Sequence, residues 1–306
     1  MAEESPERTL RSGFVLLWGR PGTGKSTLLG RLVGEPIAIA CGKPRTSRHR
    51  IVGVREEDGF QMIFVDVPGI APAKDLLERS LQKTAKAEIE AADAVLFLVD
   101  GRVNPSGDDH YASHELPAVG APVILVVNKI EEEEGGPDLD ARVADYAALR
   151  PFAAVARISA EGEEGIDALL AEVRSRLPEG PQYYPEGTVT DIPEKLEIAE
   201  RIREQCLLLL DKEVPHSCVV MVRSLAERVE GLLHVTATIH VEKPSQKAIV
   251  VGKGGEMVKR IGTAARKSLE AILGKRVYLV LEVAVAPRWR RDALALKRFG
   301  YAVEQG

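Results

Sequence analysis

A glycine-rich stretch near the amino end, GRPGTGKSTL at positions 19–28, combines residue types and a spacing that could hold a phosphate. The spacing is G-x-x-x-x-G-K-S, in which backbone N–H groups surround phosphates, the lysine contacts the β and γ oxygens and the hydroxyl ligates Mg²⁺. Because an apolar run precedes it, the stretch predicts a phosphate-binding loop between a strand and a helix. The predicted nucleotide contacts are Gly19, Arg20, Pro21, Gly22, Thr23, Gly24, Lys25, Ser26 and Thr27, with Lys25 also a catalytic candidate.

Three further motifs follow apolar runs and complete a nucleotide site. In DVPG, Asp66 can hold Mg²⁺ through water and the Gly69 N–H can contact a γ-phosphate, which makes Gly69 the second catalytic candidate. In NKIE the acid can accept hydrogen bonds from guanine N1–H and the N2 amine, groups that adenine lacks there, so GTP is favoured over ATP. The contacts predicted from DVPG, NKIE and SA are Asp66, Val67, Pro68, Gly69, Ile70, Asn128, Lys129, Ile130, Glu131, Ser159 and Ala160.

The elements that must position these motifs alternate between strand and helix. Continuous apolar runs predict strands buried on both faces of a parallel sheet, and the segments between them have helical patterns. The first 177 residues therefore predict a doubly wound α/β fold, whose ligands lie at the carboxyl ends of the strands. The predicted strands are 13–19, 60–67, 93–101, 122–129 and 152–159, and the predicted helices are 25–33, 75–92, 138–149 and 166–177.

The pattern changes after a segment rich in proline and glycine at 177–193, which predicts a linker. The elements that follow are predicted as helix, strand, strand, helix, GKGG turn, helix and strand, an RNA-binding arrangement. Residues 243–298 carry 14 Lys and Arg against 4 Asp and Glu, as a surface that meets a polyanion would. The predicted RNA contacts are Lys247, Gly252, Lys253, Gly254, Gly255, Lys259 and Arg260.

Apolar residues beside the GKGG turn are candidates for a groove that receives bases, although several of them must also serve as core. They are Ile249, Val250, Val251 and Ile261. The stretch PRWRRD at 287–292 permits either a stacking or phosphate contact through Trp289 and its arginines, or a packed tryptophan with exposed arginines.

Taken together, these motifs resemble the Era GTPases along nearly the whole chain. The resemblance implies an Era-type P-loop GTPase domain over 1–180, a linker at about 178–193 and an α+β type II KH domain over 181–306. It implies a monomeric GTPase that acts in assembly of the small (30S) ribosomal subunit, binding GTP or GDP, Mg²⁺ and the 3′ region of 16S rRNA, but not DNA. Besides the four nucleotide motifs, it rests on KPRTSRHRIVGV at 43–54, SQKAIVVGKGG at 245–255 and FGY at 299–301.

The resemblance also assigns the metal and the moving segments. Mg²⁺ would be held by Ser26, by Asp66 and by a hydroxyl of either Thr46 or Ser47, a choice that the sequence leaves open. Residues 43–54 and 70–92 would be ordered by the γ-phosphate and released on hydrolysis. A second group, the tandem-domain ribosome GTPases, has a similar tail but two phosphate loops, whereas this chain has one.

The chain departs from the family pattern at positions that matter for chemistry. Gly22 stands where the family has an Asn that helps to hold K⁺, so the residue expected to support potassium stimulation is missing. Glu131 replaces the usual Asp, and its extra methylene shifts the base-binding carboxylate by about 1.5 Å, enough to weaken a charged hydrogen bond. Ile70 stands where some GTPases have a water-orienting Gln, which implies slow intrinsic hydrolysis. Val67 replaces a Thr, with little effect expected.

The composition of the chain indicates the cellular compartment in which the protein acts. The three cysteines, Cys41, Cys206 and Cys218, show neither an even count nor a C-x-x-C spacing, which predicts free thiols in a reducing compartment. The polar, acidic start and the absence of a long apolar run predict a cytoplasmic protein without a membrane span, and leave peripheral contact with the inner membrane open. Two rival functions also stay open: a non-cycling, nucleotide-dependent RNA-binding scaffold, and an ATP-using P-loop protein.

Overall fold

The chain forms two compact units in a computed structural model, which describes residues 10–39, 43, 45–118, 120–132 and 138–303. The first unit comprises the chain up to Pro72 together with Gln82–Asp191, and the second comprises Ala73–Leu81 together with the chain from Ile192. Among the described residues we find no helix with the length and apolar character needed to cross a membrane.

A six-stranded sheet forms the centre of the first unit. Its strands are β1 (Arg11–Trp18), β2 (Ile51–Glu57), β3 (Phe60–Asp66), β4 (Ala94–Asp100), β5 (Val123–Asn128) and β6 (Ala154–Ile158). They lie in the order β2-β3-β1-β4-β5-β6, with β2 antiparallel to β3 and every other neighbouring pair parallel. Strand β4 is buried along its full length, as a strand covered on both faces requires. The predicted doubly wound fold class is confirmed.

The helices of this part of the chain connect the strands. They are α1 (Lys25–Val33), α2 (Leu76–Ala87), α3 (Gly107–Glu115), α4 (Leu139–Ala147) and α5 (Ile166–Arg176). The sequence prediction missed two elements. Strand β2 overlaps the 43–54 segment, for which the sequence predicts movement with nucleotide state but no strand. Helix α3 has no apolar stripe and begins at a capping box between Ser106 and Asp109.

Much of the segment predicted as a linker is bound to the first unit. The Val54 N–H donates to the Val189 carbonyl at 2.8 Å, and Thr190 Oγ1 donates to the Val52 carbonyl at 2.7 Å. Because strand β2 lies at the edge of the sheet, these bonds satisfy backbone groups that the edge would otherwise leave unpaired.

The second unit is a three-stranded sheet with helices, in the predicted order except for a short helix at Val214–Ser217 that the sequence did not predict. Strand β8 (Leu232–Val241) pairs antiparallel with β7 (Val219–Val229) and parallel with β9 (Arg276–Val285). The two described cysteines of this unit, Cys206 and Cys218, are buried and form no disulfide, whereas Cys41 lies outside the described residues. The elements are α6 (Glu194–Leu209), α7 (Val214–Ser217), β7 (Val219–Val229), β8 (Leu232–Val241), α8 (Pro244–Val251), α9 (Glu256–Leu273), β9 (Arg276–Val285) and α10 (Ala293–Arg298).

Trp289 belongs to a small buried cluster of the second unit. Its indole is fully buried beside Leu77 and Tyr301, and its Nε1–H donates to the Ser217 carbonyl at 2.9 Å. Of the two interpretations of PRWRRD, the packed tryptophan is therefore the one observed, and no base can stack on this ring. The neighbouring Arg290 forms an ion pair with Asp75 at 2.8 Å.

Candidate functional site

The phosphate loop connects the end of β1 to the start of α1, as its sequence predicts. Gly19 has φ 146° and a Cβ there would lie 2.3 Å from the Leu98 carbonyl oxygen, while a Cβ on Gly24 would lie 2.3 Å from Asn128 Nδ2. Only glycine fits both positions because side chains cannot enter space that is already occupied. Gly22 and Gly24 of this loop line the cleft.

Lys25, the first residue of α1, is buried beneath the loop. Its Nζ donates to the carbonyls of Gly19 and Arg20, both at 3.1 Å. Burial lowers the pKa of Lys25 to about 8, with Asp66 opposing and Arg20 assisting that shift. An ammonium group whose charge is poorly compensated gains from a nearby phosphate, so this site favours an anion.

The residues expected to hold Mg²⁺ come together at one point. Ser26 Oγ donates to Asp66 Oδ2 at 2.6 Å and lies 2.8 Å from Ser47 Oγ, which is itself 3.4 Å from Asp66 Oδ2. Of the two hydroxyls that the sequence left open, Ser47 is the one in this cluster. Thr46 lines the same cleft.

Asp66 carries the observation that points to a cation. Its Oδ1 is buried and has no hydrogen-bond partner among the described residues. Burial raises the pKa of Asp66, although Lys25, Ser26 and Ser47 oppose this effect. A carboxylate oxygen and two hydroxyls are hard ligands of the kind that Mg²⁺ prefers, directly or through its waters. The residues present therefore fit the metal.

The DVPG motif lies against the phosphate loop. The Ile70 N–H donates to the Gly19 carbonyl at 3.0 Å, and a Cβ on Gly69 would lie 2.6 Å from the Pro21 nitrogen. Gly69 therefore packs against the phosphate loop and lines the cleft. The Ile70 side chain is fully buried and cannot orient water.

The NKIE and SA motifs are tied to the phosphate loop from the other side. Asn128 donates through Nδ2 to the Thr23 carbonyl at 2.8 Å and accepts at Oδ1 from the Ala160 N–H at 2.9 Å. Lys129 Nζ donates to the Gly22 carbonyl at 2.7 Å. Glu131 is exposed in the turn Ile130–Glu132 and is not among the described residues that line the cleft.

Three residues that the sequence did not single out support the site. Asp100, at the end of β4, accepts from Lys129 Nζ at 2.9 Å. Burial alone would raise the pKa of Asp100, but hydrogen bonds from Arg102 and Lys129 outweigh it and hold the value at about 2. Arg31 donates to the Ala160 carbonyl at 3.0 Å and so links α1 to the SA loop. The strand-end position of Asp100 was the only available signal.

The cleft between these motifs has a volume of about 500 Å³ and is strongly basic. Its lining includes six cationic side chains but, among the described residues, one acidic side chain, Glu161. This charge balance suits a polyphosphate. The cations are Lys25, Arg31, Lys43, Arg45, Arg102 and Lys129.

A second candidate site surrounds the GKGG turn between α8 and α9. Gly252, Gly254 and Gly255 all have positive φ, at 76°, 61° and 83°, and a Cβ on Gly252 would lie 2.7 Å from the Met257 nitrogen. The turn therefore needs glycine and presents bare backbone to a ligand. The four predicted cations around it are all exposed: Lys247, Lys253, Lys259 and Arg260.

The apolar residues beside the turn divide into two groups. Val250 and Ile261 are fully buried in the core of the second unit. Ile249 is half exposed and Val251 is partly exposed, so these two can face a base.

Comparison with known proteins identifies both halves of the chain. Residues 14–129 match the family described as 50S ribosome-binding GTPase, and residues 213–290 match the KH domain. The protein GTPase Era of Geotalea uraniireducens is 43% identical over 295 residues, which is 96% of this chain and 99% of that protein. GTPase Era of Lactobacillus delbrueckii is 43% identical over 291 residues, 95% of this chain and 96% of its own length.

Two crystal structures share the whole architecture at a TM-score of 0.91 and 35% identity, each covering 96% of this chain and all of the other. One is Era in complex with MgGDPNP and nucleotides 1506–1542 of 16S ribosomal RNA. The other is a point variant of Aquifex aeolicus Era bound to GDP.AlF4⁻.

Proposed function

Since this chain belongs to the Era family of GTPases, we propose that it hydrolyses GTP and binds 16S rRNA through its KH domain during small-subunit assembly. The observation that carries the GTPase half is the cluster of Ser26, Ser47 and Asp66 beside buried Lys25. It joins the phosphate loop, the DVPG motif and the 43–54 segment at one point. A γ-phosphate with its metal is the ligand that would hold all three together.

The metal site uses this chain's own oxygens. Ser26 and Ser47 would supply hydroxyls to Mg²⁺, and Asp66 would hold it through water. Bound there, Mg²⁺ would neutralise phosphate charge. Potassium is not expected to contribute because Gly22 offers no side chain.

Hydrolysis depends on positioning and on charge. Lys25 contacts β and γ oxygens, and the Gly69 N–H donates to a γ oxygen. The attacking water is not oriented by Ile70, whose side chain is buried. We therefore expect slow turnover by the protein alone and faster turnover on RNA or a ribosomal particle.

Guanine recognition falls to the loops that Asn128 joins. Its amide connects the phosphate loop to Ala160, and Lys129 covers the base while bound to Gly22. Glu131, which is exposed and outside the cleft lining in this structure, would turn toward the base to supply the carboxylate for N1–H and N2. Ser159 and Ala160 place their backbone against the base.

RNA binding falls to the GKGG turn. Its exposed lysines follow a phosphate backbone, and Ile249 with Val251 face splayed bases of a single strand. The RNA proposed is the 3′ region of 16S rRNA. Nucleotide state would act through 43–54 and 70–92 on the segment 178–193.

Phosphate release tests this function against the two rivals. We expect multiple turnovers with GTP and Mg²⁺, and an increase when an RNA of the 16S 3′ end is added. A matched RNA of scrambled sequence is the control. A single turnover with no recycling would support the scaffold instead, and equal rates with ATP would support an ATP-using protein.

A further inference from the structure

Arg45 is one of several cationic side chains that reach the nucleotide cleft from outside the four nucleotide motifs. Arg45 lines the cleft together with Gly22, Lys25, Ser26 and Gly69. It is contributed by the segment before β2, which the phosphate-binding motifs do not include. A guanidinium brought into a phosphate site from outside those motifs can act on the phosphates directly.

The position of Arg45 follows from its neighbour Ser47. Ser47 Oγ is 2.8 Å from Ser26 Oγ, at the metal cluster. Two residues span at most about 7 Å, so the Arg45 backbone lies within that distance of Ser47. An arginine side chain reaches comparable distances, which brings the terminal phosphate of a bound nucleotide within range.

The backbone of Arg45 has an unusual conformation. Its φ is 62°, in the left-handed region that side-chain-bearing residues rarely adopt. Such residues are concentrated at active sites and switch segments. This observation is independent of the cleft lining and points to the same residue.

Three other arginines at or beside the cleft shape it through contacts with protein groups. Arg20 Nε donates to both carboxylate oxygens of Asp109 at 3.0 Å. Arg31 binds the Ala160 carbonyl, and Arg102 binds Asp100. Replacing any of these three would disturb a loop that supports the cleft. A variant that controls for the loss of one positive charge is therefore better chosen within the 43–54 segment.

Phosphoryl transfer needs a positive group where charge develops. In the reaction, a water oxygen forms a bond to the γ-phosphorus and the bond to the β–γ bridging oxygen breaks. The electron pair of that bond stays on GDP, and the water proton ends on the released phosphate. An arginine that meets the phosphate oxygens during this step accelerates it strongly.

We propose that Arg45 is a catalytic residue of GTP hydrolysis, supplied in cis by the 43–54 segment. Its guanidinium contacts the γ-phosphate and the bridging oxygen as their charge grows. This inference rests on the proposed GTPase function and explains how a chain with Gly22 and Ile70 would cycle. Hydrolysis would then also depend on the ordering of the 43–54 segment by the γ-phosphate.

Single-turnover hydrolysis at saturating GTP and Mg²⁺, on the full-length protein, tests the proposal. Arg45→Ala should slow hydrolysis at least about 100-fold, and Arg45→Lys should restore only a small part of the rate because lysine lacks the planar fork. Lys43→Ala is the matched control for loss of one positive charge in the same segment, and it should slow hydrolysis much less. A loss below about tenfold in Arg45→Ala would overturn the proposal.

Nucleotide binding distinguishes a catalytic role of Arg45 from a general electrostatic attraction between Arg45 and the nucleotide. Arg45→Ala should weaken binding of GDP with aluminium fluoride at least about tenfold while binding of GDP alone is nearly unchanged, because the residue acts on the transition state. Added guanidinium chloride at low concentration should partly restore hydrolysis in Arg45→Ala but not in Lys43→Ala. Equal weakening of both ligands would overturn the catalytic role. A wild-type protein that leaves GTP intact would instead overturn the proposed function.

Discussion

Ser47 lies 2.8 Å from Ser26, oxygen to oxygen, although 21 positions separate them in the sequence. The contact places a hydroxyl of the 43–54 segment at the metal cluster and distinguishes it from Thr46. A segment that closes over the metal only when the γ-phosphate is present would work through such a hydroxyl.

Removing that hydroxyl should weaken the metal site. For Ser47→Ala we expect the Mg²⁺ concentration for half-maximal hydrolysis to rise about tenfold, because a hydrogen bond or ligand contact to a charged group contributes ~1.5 kcal/mol or more. A magnesium titration of phosphate release measures this. Thr46→Ala should change the value less, and the reverse order would assign the metal to Thr46.

The depressed pKa of Lys25 predicts how nucleotide affinity depends on pH. The pKa is about 8 in the free protein and should rise when phosphates bind, so binding takes up a proton above pH 8. The logarithm of the GDP association constant should then fall with pH above 8, with a slope approaching about one per pH unit. Titrations with a fluorescent GDP check this slope.

The control is Lys25→Arg, whose guanidinium stays charged throughout and should give no such slope. The lowered pKa of Lys25 also makes the free energy of unfolding depend on pH. Because the unfolded chain binds more protons than the folded chain between pH 8 and 10.5, the Lys25 contribution to the free energy of unfolding should increase with pH across that window. A wild-type affinity that stays constant to pH 9.5 would contradict the assignment.

Asp100 should matter for nucleotide binding without touching the phosphates. Asp100→Asn keeps the shape but removes the charge that holds Lys129 and Arg102. We expect about a tenfold loss of GDP affinity, since a charged hydrogen bond contributes ~1.5 to 3 kcal/mol. Isothermal titration measures it. Asp140→Asn is the control, because that carboxylate is exposed and pairs with Arg157; an equal loss there would point to a general charge effect.

Some residues of the site are predictable from the sequence and others are not. The phosphate loop and the GKGG turn were predictable because their glycines occupy positions where a Cβ would collide or φ is positive. Glycine is therefore needed at a fixed spacing, and that spacing is visible in the sequence. Asp100 was not, because an aspartate before a glycine at a strand end also suits a simple turn. Its role becomes visible only when Lys129, 29 positions later, is seen to reach it.

The same limit applies to the fold. The strands of the parallel sheet were predicted from continuous apolar runs, whereas β2 was missed because its charged carboxyl end and Gly53 interrupt the pattern. Gly53 gives its neighbours room, since a Cβ would lie 2.4 Å from Val33 Cγ2 and would force that side chain to shift. Trp289 shows the converse case: three arginines around an aromatic residue permitted a surface contact, but long-range packing buried the ring.

We expect the GKGG turn to bind RNA with an affinity that depends on salt concentration. Lys253→Ala should weaken binding to a 16S 3′-end RNA and reduce the slope of log affinity against log salt by about 0.7, the value for one single-strand phosphate contact. Filter binding at several salt concentrations measures the slope. Lys297→Ala removes an exposed charge from α10 and should leave the slope unchanged; equal slopes for Lys253→Ala and the wild type would remove Lys253 from the interface.

Competition binding measures whether this cleft selects guanine nucleotides. GTP, GDP, ATP and ADP are compared as competitors of a fluorescent GDP with Mg²⁺, on the wild type and on Glu131→Asp. We predict that guanine nucleotides win by tenfold or more, about 1.4 kcal/mol, and that the shorter acid strengthens this preference. If ATP and ADP displace the fluorescent GDP from the wild type as well as GTP and GDP do, the cleft does not select guanine.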